Sequence, residues 1–435
     1  MFKSENISPL RRVFQNASIL LSGDIGANVF KLLTVAIFSH SQGPEKLGYF
    51  VLFTSFIEVV DRVFNFQTWQ AFIKFSASFM LKNERHKIMM LLKYSFFVDL
   101  ISLVTATIVA LFTSKFLIEF FNIPQGYYSL LLIMSSTILF KLIDISTGIF
   151  RLYNKFGIQA KIAVYTSIFR CFLYVLVVLI SPVFEMFIYA TVLSQFASMI
   201  LKLYYLQSIL EAQSIKLSEI FMEKIDFPML KKLKVFSFII NNNFDVALRL
   251  VSIQLDMFIL GKLYSSDVVG VYKITKEASK VILKISSPVY QSIYPEFSKL
   301  MANQKFNLAK KMTLKISTYA GILGLVFYLT FYFTGEGLIA LAFGDEMIEA
   351  YSVSLVYIIA VLINLVSLPF PSLMHAMGLA KQAFYNQFFS SILYCSVLFY
   401  LINQFSIYGA AISMIIYHLL WLLGSLIITT QYKPR

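Results

Sequence analysis

Charge is what this sequence has least of. Asp, Glu, Lys and Arg make up 14% of its 435 residues, where a soluble protein carries about 25%. With a mean hydropathy of +0.74, that shortfall excludes an ordinary soluble chain. A polytopic helical membrane protein is the economical reading, with room for many spans of ~20 residues. Cysteine is nearly absent. Cys171 and Cys395 both lie in apolar runs, form no metal-ligand spacing, and read as small apolar side chains. The four histidines, His40, His86, His375 and His418, are scattered and make no catalytic group. Walker-type phosphate loops, HExxH, CxxC and GxSxG are also missing. One G-x-G-x-x-A runs from Gly335 to Ala340, but it follows a membrane span rather than a strand and signals no nucleotide. No extramembrane stretch is long enough for a catalytic domain. The acidic outer loop near 335–349 holds no active-site set. Neither enzymatic activity nor a cofactor or metal is therefore expected.

What the chain has instead is apolar length. Twelve candidate spans lie near 14–38, 47–76, 90–114, 127–150, 160–182, 186–208, 235–260, 268–296, 313–334, 350–372, 379–403 and 406–430. The 44 Phe and 25 Tyr residues suit lipid-facing and interfacial positions. The amino-terminal MFKSENISPLRR lacks a small-residue cleavage site, so no removable signal peptide is expected. Breakers such as Gly43-Pro44 and Ser181-Pro182 punctuate the turns. In a soluble protein the formal charge of +14 would suggest nucleic acid. Here Lys and Arg crowd one set of span ends, as at Arg11, Arg12, Arg85, Lys231, Lys232 and Lys310. The opposite ends hold Lys46, Lys115 and Lys262. The positive-inside rule then places both termini in the cytoplasm and accounts for the charge without a nucleic-acid partner.

The expected organisation is two six-helix bundles, 1–208 and 235–435, joined by a cytoplasmic linker at 209–234. That linker mixes Glu211, Glu219, Glu223 and Asp226 with lysines and reads as an amphipathic surface segment. The second span lies on the eighth when the first half is shifted as one block, so that Gly48 meets Gly270. At that single offset Arg62 meets Lys284, Asn65 meets Ser287, and Phe75-Ser76 meets Phe297-Ser298. An even number of spans per half makes these parallel repeats about an axis along the membrane normal, around a central cavity.

The eighth span, within 269–300, carries the densest polar stripe. At about 100° per residue, Lys273, Lys276, Glu277, Lys280 and Lys284 share one face, continued by Gln291. The second span aligns Glu58, Asp61, Arg62 and Asn65, with Trp69 on the same line. The seventh aligns Asp245, Arg249 and Asp256, and the first offers Asp24 and Lys31. A charge at the bilayer centre costs ~2.5–3.5 kcal/mol, so these stripes avoid lipid. Two readings follow. The charges face a hydrated cavity, or they pair off as salt bridges such as Asp24–Lys31, Asp61–Arg62 and Asp245–Arg249. Trp69 stacks on a sugar or sits at the interface. The lysine excess suits an anion such as phosphate. Lys273, Lys276, Lys280 and Lys284, with Arg62, Arg249, Lys31, Asn65 and Gln291, are the candidate anion-binding set. Asp24, Glu58, Asp61, Asp245, Asp256 and Glu277 are candidates for gating salt bridges or for coupling to H⁺ or Na⁺.

Short motifs carry a resemblance. Asp256-Met257-Phe258-Ile259-Leu260-Gly261, Gly270-Val271-Tyr272, Ser287-Pro288 through Tyr294-Pro295 to Ser298, and Tyr408-Gly409-Ala410-Ala411 are similar to polysaccharide-biosynthesis flippases of the Wzx type. These belong to the multidrug/oligosaccharidyl-lipid/polysaccharide exporter superfamily. The resemblance implies transfer of an undecaprenyl-pyrophosphate-linked oligosaccharide, such as an O-antigen unit, across the bacterial inner membrane. Polysaccharide polymerase and other assembly proteins would be its partners, with membrane lipid around it. Three rivals fit less well. A small-molecule antiporter of the same fold would meet cationic substrates with lysines. A membrane polymerase or ligase would need a large outer loop with catalytic Arg or His. A scaffold leaves the lysine stripe unexplained.

Overall fold

The computed structural model describes residues 9–66, 68–283, 293, 296–298, 300, 301 and 303–432. Among them the secondary structure is helical and no strand occurs. The chain is an all-α polytopic membrane protein. Arg85–Phe120, Gln125–Leu152, Phe156–Ile180, Phe184–Ala212, Phe306–Phe343, Glu349–Ala376 and Lys381–Gln431 are each long and apolar enough to cross a membrane. Two of the longest helical stretches hold two helices apiece. Pro9–Phe64 is divided at Gly43, where φ is 73° and Pro44 follows. A positive φ there suits a residue without Cβ, and proline is favoured where a helix begins. Ala380–Gln431 is divided at Ser406, φ 51°. Val235–Leu263 and Ser266–Ser279 meet at Ser265. The offset that carries Gly48 onto Gly270 also carries Gly43 onto Ser265. The repeat inferred from sequence thus places its first turn at equivalent positions.

Two spans are less regular than their apolar runs suggest. The second stops at Phe64 and resumes as Trp69–Leu81. Its polar residues explain the gap, because short polar side chains compete with the helical ladder. Asn65 Nδ2 bonds Asp61 Oδ1 at 3.0 Å, and the Thr68 hydroxyl reaches Asp99 on another helix. In the fourth, Ser136–Asp144 winds as a 3₁₀-helix. Just ahead of it, and in its first turn, Ser135, Ser136 and Thr137 bond back to the carbonyls of Leu131, Ile133 and Met134. Such back-bonding perturbs an α-helix, and long 3₁₀ runs are uncommon.

Packing divides the chain into two compact units, residues 1–38 with 52–254, and 39–51 with 255–435. The first unit is built around Phe72, Met90, Leu91, Ile149, Phe150 and Leu210. Segment 209–234 belongs to this core through Ile215, Ile220 and Leu230, each at most 5% exposed. Its helices Leu217–Met222 and Phe227–Lys232 are anchored by polar contacts as well. Lys93 Nζ donates to the carbonyls of Phe221 and Glu223, and Asp226 accepts the Met229 N–H at 2.9 Å.

The second unit contains a close helix crossing. A Cβ on Gly48 would fall 1.6 Å from the Ser266 carbonyl oxygen, and one on Gly270 would fall 2.2 Å from that of Pro44. Pro44 and Ser266 are related by the same offset as Gly48 and Gly270. The crossing is therefore reciprocal, and glycine is required on both sides.

Candidate functional site

In the second unit the lysine stripe is sorted into pairs. Lys276, 3% exposed, places Nζ 2.7 Å from Asp256 Oδ2. Asp256 is fully buried on the preceding helix. The Tyr272 hydroxyl donates to the same Oδ2 at 2.9 Å, and Oδ1 accepts the Met257 N–H at 2.8 Å. Tyr272 in turn packs edge-on against Tyr357. One turn away, Lys273 Nζ bonds Glu277 Oε1 at 2.8 Å, with both side chains partly exposed. Lys280 follows at the end of Ser266–Ser279, its N–H bonded to the Lys276 carbonyl. It is half-buried and has no ion-pair partner among the described residues. Lys284 and Gln291 lie outside the described residues. The lysine excess thus narrows, within the described residues, to Lys280. A half-buried ammonium with free donors suits the oxygens of a phosphate or carboxylate.

The first unit brings together another part of the expected set. Asp61, 1% exposed, accepts Lys141 Nζ at 2.5 Å on Oδ2 and Asn65 Nδ2 at 3.0 Å on Oδ1. Its cation therefore comes from the fourth span rather than from neighbouring Arg62, whose half-buried side chain makes no ion pair among the described residues. Glu58 is exposed and accepts Gln254 Nε2 at 2.8 Å. Lys31 is exposed. The side chains of Asp24, Asp245 and Arg249 lie outside the described residues. Trp69 carries the Arg151 guanidinium 4.4 Å from its ring centroid, so a cation rests on it.

Several polar groups carry only a general signal of their role in the sequence. Lys141 and Asp144 stand in an apolar run, and the clue was that buried charges need partners. Lys202 supplies one for Asp144 at 2.5 Å. Arg170, in the fifth span, donates from Nε to Ser194 Oγ at 2.8 Å. The Asp99 carboxylate is bonded by Thr68 alone among the described residues. Tyr272 stands in the Gly270-Val271-Tyr272 motif, whose spacing does not report its bond to Asp256.

The chain is similar in fold to several solved structures. A multidrug resistance transporter of the MATE family and MOP superfamily, in an inward-facing conformation, superposes with a TM-score of 0.75 at 13% identity. The match covers 93% of this chain and 94% of that one. An inward-closed lipid II flippase, MurJ, gives 0.65 at 16% identity, covering 95% and 88%. A Pyrococcus furiosus MOP transporter, described as having a binding pocket of reverse polarity, gives 0.66 at 12% identity, covering 98% and 96%. At such low identities these likenesses establish a shared fold and nothing beyond it. A comparison with curated protein sequences finds no match. Residues 43–352 match the polysaccharide biosynthesis protein family, and the chain belongs to it.

Proposed function

We propose that the protein is a flippase for a lipid-linked oligosaccharide. Its cargo is an undecaprenyl-pyrophosphate-linked repeat unit of a surface polysaccharide, O-antigen being one example. It moves from the cytoplasmic to the outer leaflet of the bacterial inner membrane by alternating access. The observation that carries this reading is the family match over 43–352 on a fold shared with a lipid II flippase. The ammonium of Lys280, left without an acid among the described residues, supports an anionic cargo. A cationic drug would be repelled there, which weighs against a multidrug antiporter. The protein binds and moves its cargo without chemistry on it. Both termini lie in the cytoplasm, and the polymerase and other assembly proteins act on the cargo around it. An H⁺ or Na⁺ gradient supplies the driving force.

The test is complementation of a strain whose surface polysaccharide depends on this protein. Lys280→Ala combined with Lys284→Ala is expected to abolish surface polysaccharide while the protein stays in the membrane fraction. The lipid-linked precursor should accumulate on the cytoplasmic side. Undiminished surface polysaccharide in that variant would refute the assignment.

A further inference from the structure

Away from the lysines, the first unit holds a polar cluster whose charges do not balance. Asp61 takes Lys141, and Asp144 takes Lys202. A third carboxylate, Asp99, is 3% exposed on Arg85–Phe120 and has no cation among the described residues. Its partner is Thr68, whose N–H donates to Oδ1 at 3.1 Å and whose O–H donates to Oδ2 at 2.9 Å. Thr68 stands in the gap of the second span, immediately before the helix resumes at Trp69.

The charged neighbours are engaged elsewhere. On Ser136–Asp144 they are Lys141 and Asp144, both already paired, and Asp144 acts electrostatically on Asp99. On Trp69–Leu81 it is Lys74, which lies 4.0 Å over the Phe238 ring. Arg151, on Ile145–Leu152, lies over Trp69. Glu219, on Leu217–Met222, pairs with Arg85. Tyr128–Ser135 carries no charge, and its one titratable group is Tyr128. On the same helix as Asp99, Lys93 is taken by the carbonyls of Phe221 and Glu223, and Tyr94 is its titratable neighbour. Three carboxylates against two ammoniums leave one negative charge in a buried site at membrane depth, which is unfavourable without a counter-charge.

We propose that Asp99 is a proton-binding site tied to the break in the second span. A proton needs one acceptor, whereas a metal cation needs several oxygens. The Thr68 hydroxyl fits both protonation states. With Asp99 ionised, it donates to Oδ2. The Ser95 carbonyl lies 3.4 Å from the same Oγ. With Asp99 protonated, the hydroxyl turns to Ser95 and accepts the new O–H, while the amide bond to Oδ1 persists. The proton is taken from water and returned to it, and no other bond changes. Lys141 and Asp144, about 30% exposed, give water an approach to the cluster. Because Thr68 holds the point where the helix restarts, proton loading alters how firmly that restart is fixed. This site stands on its own geometry and does not depend on the lipid-linked cargo.

The purified full-length protein in lipid nanodiscs tests the proposal, with the proton itself as probe. Infrared difference spectra between acidic and alkaline buffer are expected to show a carboxylic acid band that Asp99→Asn loses. The protein has two tryptophans, Trp69 and Trp421. In a Trp421→Phe background, Trp69 fluorescence should titrate at the midpoint of that band and go flat in Asp99→Asn. Thr68→Val removes a donor from the ionised form, so the midpoint should move to higher pH. An acid band and a Trp69 titration that survive unchanged in Asp99→Asn would overturn the proposal. If that variant fails to fold, an unmoved midpoint in Thr68→Val overturns it equally.

Discussion

Removing the ammonium of Lys276 isolates the energetics of the second unit. Lys276→Met keeps the length of the side chain and deletes its charge. Asp256, fully buried, is then left with the Tyr272 hydroxyl and the Met257 N–H as its donors among the described residues. Deleting one member of a buried pair costs about 3–5 kcal/mol, because the other charge stays desolvated. The upper end applies here, since the two side chains are 4% and 0% exposed. Neutralising both, as in Asp256→Asn with Lys276→Met, removes the uncompensated charge and is expected to recover most of the loss. Each kcal/mol moves the melting temperature of a domain of ~200 residues by about 2–4 °C, so the single variant should fall by roughly 10–20 °C. The double variant should lie within a few degrees of the parent. Thermal unfolding of the four proteins in one detergent provides the measurement. Independent sites add to within about 0.5 kcal/mol. A double variant that falls as far as the sum of the singles would show that the pair is not coupled and that the reasoning is wrong.

The same logic ranks other substitutions. Lys202→Met should cost only about 1 kcal/mol, since both it and Asp144 are a quarter or more exposed. A melting temperature as low as that of Lys276→Met would contradict this ranking. Gly48→Ala should destabilise by about 1–3 kcal/mol or more through overpacking on Ser266. Gly126→Ala, with nothing within 4 Å of its new Cβ, should stay within about 0.5 kcal/mol on the same melting assay. Ile220→Ala, at a position 3% exposed, should cost about 2–5 kcal/mol. It should also speed tryptic cleavage at Lys224 by loosening segment 209–234 from its core.

Much of this was legible in the chain because membrane burial writes itself into composition. Apolar runs marked each span, and Gly43-Pro44 marked a turn. A single fixed offset marked the repeat, with Gly48 and Gly270 as its clearest match. Pairing was harder to read. Counting charges on one face of the eighth span gives four lysines against Glu277, because the acid for Lys276 belongs to the helix before it. Asp61 has an arginine as its sequence neighbour yet takes a lysine 80 positions away. Helical periodicity reports which residues share a face, and says nothing of which other helix that face meets. Segment 209–234 reads as an amphipathic cytoplasmic linker, and its packing is hard to read for a related reason. Its acids and lysines dominate the composition, while three well-spaced residues, Ile215, Ile220 and Leu230, decide where it sits.

The crossing of Gly48 and Gly270 also bears on how the two halves came to differ. A contact that maps onto itself under the repeat offset is one that two copies of a half-length chain could make with each other. In such a pair every charge would appear twice, once in each copy. Joining the copies into one chain removes that restriction. The glycines have stayed matched at the crossing, while Glu58 stands in one repeat where Lys280 stands in the other. Symmetry persists where the backbones touch; along the charged stripe it is kept at Arg62 and Lys284 and lost at Glu58 and Lys280.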